Sequence, residues 1–129
     1  MMGSDDHRPR VAATEEDAGE RRLLLVSIAG ELDLGVSEEL SAELNRAKLA
    51  EFGGDGIVLD LSGVTFMDSS GVQALLVATE AMRGAGRSYG VVVPGDSPIN
   101  AILELTQIAQ RLPLYRDIGS ARNAVGASR

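Results

Sequence analysis

The sequence contains no cysteine and no tryptophan, and His7 is its single histidine. The missing thiols exclude disulfide bonds and thiol chemistry. A lone histidine in a charged N-terminal stretch gives a serine nucleophile no plausible general base, and it leaves no His or Cys cluster to hold a metal. We therefore expect no catalytic residue, no metal site and no cofactor, and we interpret the chain as a regulatory protein that is not an enzyme.

Long apolar runs and positive charge are also scarce. No stretch is long and apolar enough to cross a bilayer, and the first ten residues lack the pattern of a secretory signal, so we expect a cytoplasmic protein without membrane insertion. The formal net charge is −7 and aromatic residues make up 3% of the chain. Because nucleic acid binding depends on Lys, Arg and stacking aromatics, direct contact with nucleic acid is not expected. A protein partner fits this composition, which does not define the oligomeric state.

Apolar runs of strand length alternate with stretches of helical periodicity. Strands are predicted at residues 23–29, 57–61, 89–93 and 112–115, and helices at residues 37–50, 72–84, 98–111 and 121–124. This order predicts an α/β layer structure with a mostly parallel sheet. Residues 1–21 carry many charges with little periodicity and are expected to be a tail, in which residues 11–13 are a candidate edge strand. A single domain is expected over residues 22–125, followed by a short tail at 126–129.

The most informative segment joins the second predicted strand to the second helix through Asp68, Ser69, Ser70 and Gly71. A serine at a helix start lies near unpaired backbone N–H groups, and the helix dipole favours negative charge there. Such a serine can carry a phosphate without melting the helix. Ser70 is the more conventional cap and Ser69 is better placed to be presented, and physical reasoning does not choose between them. Asp68 either caps the helix or orients the serine hydroxyl.

Candidate partner contacts flank this segment. Glu31 and Asp33 follow the first predicted strand, and in a parallel sheet the loop that carries them can lie at the same end as Ser69. The alternative is that they form only a turn. Met67 and Val72 are apolar neighbours of the serine segment. Their apolar neighbours favour a position in the core for both side chains. An exposed apolar residue at this place would instead contact a partner.

Three segments together resemble the STAS domain of bacterial anti-sigma factor antagonists, also called anti-anti-sigma factors. They are Gly30-Glu31-Leu32-Asp33, residues 58–71, and residues 102–106 with Leu114-Tyr115. The resemblance spans residues 23–125. It implies a single STAS-like domain with a mixed, mostly parallel sheet of about four to five strands and four helices mainly on one side. One departure is Gln107, where family members often have glycine, and this residue suits a continued helix.

The resemblance also implies partner switching in the regulation of transcription. The unmodified protein would bind an anti-sigma factor serine kinase and free a sigma factor, and phosphorylation by that kinase would release it. A metal-dependent serine phosphatase would reverse the modification. The modified residue is the first serine of the element, Ser69, with Asp68, Ser70 and Gly71 as its support.

Two alternatives belong to other functional classes. The first is a non-switching STAS adaptor, either a scaffold in a stress-sensing assembly or an accessory subunit of a lipid transporter. The second is a small hydrolase that uses Asp68 and Ser69, and it fails because the general base is missing.

Overall fold

A five-stranded mixed sheet forms the centre of the computed structural model, which describes residues 11–18, 20–43 and 55–127. The strands are β1 (Val11–Ala18), β2 (Arg21–Leu32), β3 (Gly56–Met67), β4 (Ser88–Val92) and β5 (Leu114–Tyr115). They lie in the order β1-β2-β3-β4-β5, and only the β1–β2 pair is antiparallel. The predicted α/β fold with a mixed, mostly parallel sheet is confirmed.

Helices cover both faces of this sheet unequally. They are α1 (Leu34–Glu43), α2 (Ser69–Gly84), α3 (Asn100–Leu105) and α4 (Ile118–Ala127), with a 3-10 turn over Ile108–Arg111. In the described part of the chain, α1, α2 and α3 contribute buried side chains to the larger core, which includes Leu40, Leu75 and Leu103. Helix α4 packs on the opposite face, so the helices lie mainly on one side, as expected.

Helix α4 approaches the sheet closely because small residues lie beneath it. A methyl group on Gly56 would lie 2.1 Å from Val125 Cγ1, and one on Gly90 would lie 3.2 Å from Val125 Cγ2. At the start of the helix, the Asp117 carboxylate accepts hydrogen bonds from the Ser120 backbone N–H (2.7 Å) and hydroxyl (3.0 Å). These hydrogen bonds lower the pKa of the Asp117 carboxyl. The chain therefore ends in a well-anchored helix, longer than the predicted 121–124 and extending into the predicted 126–129 tail.

Strand β1 is longer than the candidate edge strand at residues 11–13. Val11 is buried, and all eight residues of β1 pair with β2. The Arg122 guanidinium of α4 also donates two hydrogen bonds to the Glu16 carboxylate, from Nε to Oε1 (3.0 Å) and from Nη2 to Oε2 (2.9 Å). The hydrogen bonds between β1 and β2, together with this ion pair, hold β1 against the sheet. Its charged sequence alone is typical of a tail.

Several element boundaries differ from the predicted ones. Helix α1 begins at Leu34 and not at Ser37, and part of its predicted continuation at residues 44–50 lies outside the described residues. Helix α3 begins at Asn100 and not at Pro98, because residues 94–99 form turns. The Asn100 side-chain amide donates to the carbonyl oxygens of this turn segment at 2.9 to 3.2 Å. Local polar bonds, which periodicity does not show, set this helix start.

The prediction that a helix continues through Gln107 is wrong. Helix α3 ends at Leu105, and Gln107 adopts a left-handed conformation with φ 62° before the 3-10 turn begins. That conformation costs a non-glycine residue about 1–2 kcal/mol. The redirected chain buries Ile108 and Leu112 in the main core, and burial of each such side chain contributes about 1.5–3 kcal/mol. Tertiary packing therefore outweighs the local helix preference of glutamine.

The ends of β2 and β3 extend beyond their neighbours. In the described chain, β1 pairs with β2 no further than Ile28, and β4 pairs with β3 no further than Asp60. Residues 29–32 of β2 and 63–67 of β3 therefore form a two-stranded extension, which we call the ribbon. Two register shifts occur along it, so β3 advances seven residues (60 to 67) while β2 advances five (27 to 32). These irregularities bend the ribbon and alter which side chains it exposes.

Helix α2 starts directly against the ribbon. A methyl group on Gly71 would lie 2.2 Å from the Leu32 carbonyl oxygen and 2.7 Å from Met67 Cγ. Only glycine fits this contact without displacement of backbone. The start of α2 is thus fixed relative to the ends of β2 and β3.

The left-handed residue gives a testable prediction for stability. We expect Gln107→Gly to raise the free energy of unfolding by about 0.5–1 kcal/mol, because glycine adopts positive φ without strain. The matched control is Gln110→Gly in the 3-10 turn, which should lower it by about 0.5 kcal/mol. Urea unfolding of both variants measures the difference. Equal losses in the two variants would contradict the left-handed conformation at residue 107.

The contact beneath α2 gives a second prediction. We expect Gly71→Ala to lower the free energy of unfolding by about 1–3 kcal/mol, because the added methyl overlaps the Leu32 carbonyl oxygen. The matched control is Gly95→Ala, where no atom lies within 4 Å of the added methyl and the change should stay within about 0.5 kcal/mol. An unchanged urea midpoint for Gly71→Ala would show that α2 is not packed this closely.

Candidate functional site

Asp68 caps the N-terminus of α2. Its backbone is extended (φ −102°, ψ −171°), and its carboxylate oxygen Oδ1 accepts a hydrogen bond from the Gly71 N–H at 3.0 Å. The Val72 N–H donates to the Asp68 carbonyl oxygen at 3.0 Å, which is the first hydrogen bond of the helix. Of the two roles considered for Asp68, the structure shows the capping one.

Ser69 and Ser70 occupy the first two helical positions and differ in exposure. The Ser69 side chain is exposed, whereas Ser70 is partly buried. Both residues lie in the first turn, where backbone N–H groups point out of the helix start and the dipole favours an anion. Ser69 is therefore exposed at a helix start, where the helix dipole favours negative charge.

A groove runs from Ser69 along the side of α2. It has a volume of about 720 Å³ and is lined by both α1 and α2, which also pack against each other. Its lining residues are Glu38 and Ser41 of α1 with Ser69, Ser70, Gln73, Ala74 and Val77 of α2. Val77 is 50% exposed. Sequence reasoning missed this groove, because periodicity locates each helix separately and does not show the gap between two neighbours.

The structure brings the predicted acidic residues to the end of the sheet that carries Ser69. Glu31 is exposed and lies within β2, opposite Phe66 in the register, so its predicted place in a loop is wrong. The strand continues because Gly30 absorbs a register shift with φ 88°. Asp33 is partly buried and follows β2 directly. Since Leu32 contacts Gly71, the end of β2 and the start of α2 form one surface.

The two apolar candidates occupy less accessible positions. Met67 is 3% exposed and belongs to the core, and Val72 is partly buried and packs against the same core. Met67 faces inward beneath Gly71 and is too deeply buried to contact a partner in this structure. Its neighbour Phe66 is 53% exposed instead. Adjacent residues of a strand face opposite sides, which accounts for the difference between Met67 and Phe66.

Two classes of feature are missing from the described residues. No group of three or more His, Cys, Asp or Glu side chains within residues 11–18, 20–43 and 55–127 is arranged to hold a metal ion. No helix in these ranges is both long and apolar enough to span a membrane.

Comparison with known proteins gives a consistent result. An anti-sigma F factor antagonist from Paenibacillus polymyxa is 27% identical over 95 residues, which are 74% of this chain and 80% of that protein. The crystal structure of an anti-sigma factor antagonist from Mycobacterium paratuberculosis has a TM-score of 0.66 at 24% identity. The comparison covers 96% of this chain and 98% of that one.

The phosphorylated form of the Bacillus cell fate determinant SpoIIAA has a TM-score of 0.61 at 19% identity, with 88% of this chain and 99% of that one covered. These solved structures share the fold. Residues 12–121 also match the sequence profile of the STAS domain, which is most of the chain. The resemblance noted in the sequence is confirmed, and this protein belongs to the STAS domain family.

Proposed function

We propose that this protein is an anti-sigma factor antagonist that changes partner when Ser69 is phosphorylated. The observation that carries the proposal is the exposed Ser69 hydroxyl at the Asp68-capped start of α2. In the unmodified state the surface around Ser69 binds an anti-sigma factor serine kinase in the cytoplasm. The kinase then no longer holds its sigma factor, which is free to join RNA polymerase.

The reaction itself belongs to the partners. In the kinase, the Ser69 oxygen bonds to the γ-phosphorus of ATP, the bond to the β-phosphate oxygen breaks, and ADP leaves while the hydroxyl proton passes to a base of the kinase. A metal-dependent serine phosphatase transfers the phosphoryl group to water and restores the hydroxyl. The antagonist supplies a presented hydroxyl and no catalytic residue, which agrees with the missing general base.

Phosphorylation acts on the interface more than on the fold. It adds a charge of about −1.5 to −2 beside the Asp68 carboxylate and at the mouth of the groove that contains Glu38. Within the domain, the N-terminus of α2 offsets part of that charge. At an interface, the same dianion must give up its hydration water in order to contact a partner surface that is complementary to a neutral hydroxyl. A mismatch of about 3 kcal/mol or more lowers affinity roughly 100-fold or more.

The role of one related protein and the phosphorylated state of another support this proposal. The relative from Paenibacillus polymyxa is an anti-sigma F factor antagonist. SpoIIAA, which has a similar fold, is known in a phosphorylated form. A non-switching adaptor would share the fold and would bind its partner without being modified, so the experiments on Ser69 separate the two functions.

The switch gives a testable prediction for modification and binding. With ATP and an anti-sigma factor kinase that binds the protein, we expect one phosphate on Ser69, measured by intact mass and peptide mapping. Ser69→Ala should accept no phosphate and should bind like the parent. Ser69→Asp should bind at least tenfold more weakly, because it introduces part of the charge of the phosphate.

Ser70→Ala is the matched control for this experiment and should still accept one phosphate. Modification of Ser70 in place of Ser69, or parental affinity in Ser69→Asp, would contradict the mechanism. Circular dichroism of the phosphorylated protein should show unchanged helix content. A large loss of helix would contradict the tolerance of the α2 terminus for the anion.

The role of Asp68 gives a separate prediction. Asp68→Asn keeps an oxygen that accepts the Gly71 N–H, so the free energy of unfolding should change by less than about 0.5 kcal/mol. Asp68→Ala removes the cap and should lower it by about 1 kcal/mol. If capping is the whole role, kinase and ATP should phosphorylate Asp68→Asn at nearly the parental rate. A loss of roughly 100-fold or more would show that the carboxylate acts on the Ser69 hydroxyl.

A further inference from the structure

Phe66 is an exposed aromatic side chain on the ribbon. It is 53% exposed, and among the described residues only Val77 and Leu105 are other large apolar side chains so exposed. Phe66 lies next to Met67 in β3, and successive residues of a strand face opposite sides. Since Met67 faces the main core, Phe66 faces away from it. The ring therefore contributes little to the packing of the domain.

The ribbon holds this ring at a defined place. Phe66 lies opposite Glu31 in the β2–β3 pairing, and the Thr65 hydroxyl donates to the Gly30 carbonyl oxygen at 3.4 Å. The contact between Gly71 and Leu32 then ties the ribbon to the start of α2. A side chain on a paired strand loses less freedom on binding than one on a loose loop. Phe66 is thus presented in a fixed relation to Ser69.

The distance between Phe66 and Ser69 places them in one interface. Ser69 is three positions after Phe66, so their Cα atoms lie at most about 11 Å apart. A specific interface covers about 800 Å² on each partner, which corresponds to a patch with a radius of roughly 16 Å. A partner that is centred on the Ser69 hydroxyl and encloses the end of the sheet therefore reaches Phe66 on the other face. Aromatic residues, Phe among them, are enriched in the cores of protein interfaces.

Charge indicates the chemistry of the surface that receives the ring. Glu31 is exposed beside Phe66, and Asp33 and Asp68 lie at the same end of the sheet. The whole chain has a formal net charge of −7. A basic partner surface complements this region, whereas an acidic one is repelled.

We propose that Phe66 is an anchor that inserts into an apolar pocket of the anti-sigma factor, and that Lys or Arg at the rim of that pocket pairs with Glu31. This inference rests on the proposed function and adds a contact on the face of the sheet opposite the α1–α2 groove. The partner then encloses the sheet end from both faces, with Ser69 between the two contacts. A phosphate on Ser69 would be trapped between them, which increases its effect on binding.

The test measures the dissociation constant for an anti-sigma factor kinase that binds the wild type. We expect Phe66→Ala to bind at least tenfold more weakly, as truncation of an aromatic anchor does. Leu105→Ala is the matched control, because Leu105 is 83% exposed at the C-terminus of α3, and the affinity of this variant should stay within about twofold. Phe66→Leu should recover part of the lost affinity. Urea unfolding of each variant verifies that the fold is retained.

A charge reversal tests the rim of the pocket. Glu31→Lys should weaken binding at least tenfold and reduce its dependence on salt, and Glu104→Lys on the exposed surface of α3 should not. Wild-type affinity in both Phe66→Ala and Phe66→Leu would overturn the anchor even where Ser69 is still phosphorylated, and the proposed function would stand. If the wild type itself neither binds such a kinase nor accepts a phosphate, the proposed function fails and the anchor fails with it.

Discussion

One close contact organises the functional end of this protein. The backbone of Gly71 lies against the Leu32 carbonyl oxygen at a distance that leaves no room for a methyl group. This contact joins the end of β2 to the start of α2, and Asp68 completes the junction by capping the helix. The helix terminus, the acidic end of β2 and the Ser69 hydroxyl are consequently parts of one rigid surface, and the proposed switch depends on that rigidity.

Irregularities in the sheet adapt this surface to recognition. Met67 lies in the core and Phe66 is exposed where β3 carries two more residues than β2, although the two are adjacent in sequence. On the other face, the gap between α1 and α2 provides a groove that begins at Ser69. The described chain thus combines a regular core with an exposed end of the sheet, where pairing with β1 and β4 stops.

Much of the fold could be predicted from the sequence because the signals were local. Apolar runs and helical periodicity identified most elements of the fold, and the Asp-Ser-Ser-Gly segment contains the start of α2, which lies at Ser69 and not at the predicted residue 72. Non-local causes explain what failed. Gln107 is left-handed because Ile108 and Leu112 must reach the core, and β1 is ordered because β2 and Arg122 hold it. The exposed position of Phe66 is by contrast consistent with strand alternation, because Ile57, Leu59 and Met67 all face the main core.

The ion pair between Glu16 and Arg122 has a consequence for how the chain acquires its structure. These residues are 106 positions apart, and they join the first strand to the last helix. During synthesis β1 emerges from the ribosome long before α4, so its full set of contacts waits until translation is nearly complete. A chain interrupted before Arg122 would lack the ion pair that holds β1 to α4. Quality-control proteases could then recognise the less stable edge strand as unfinished.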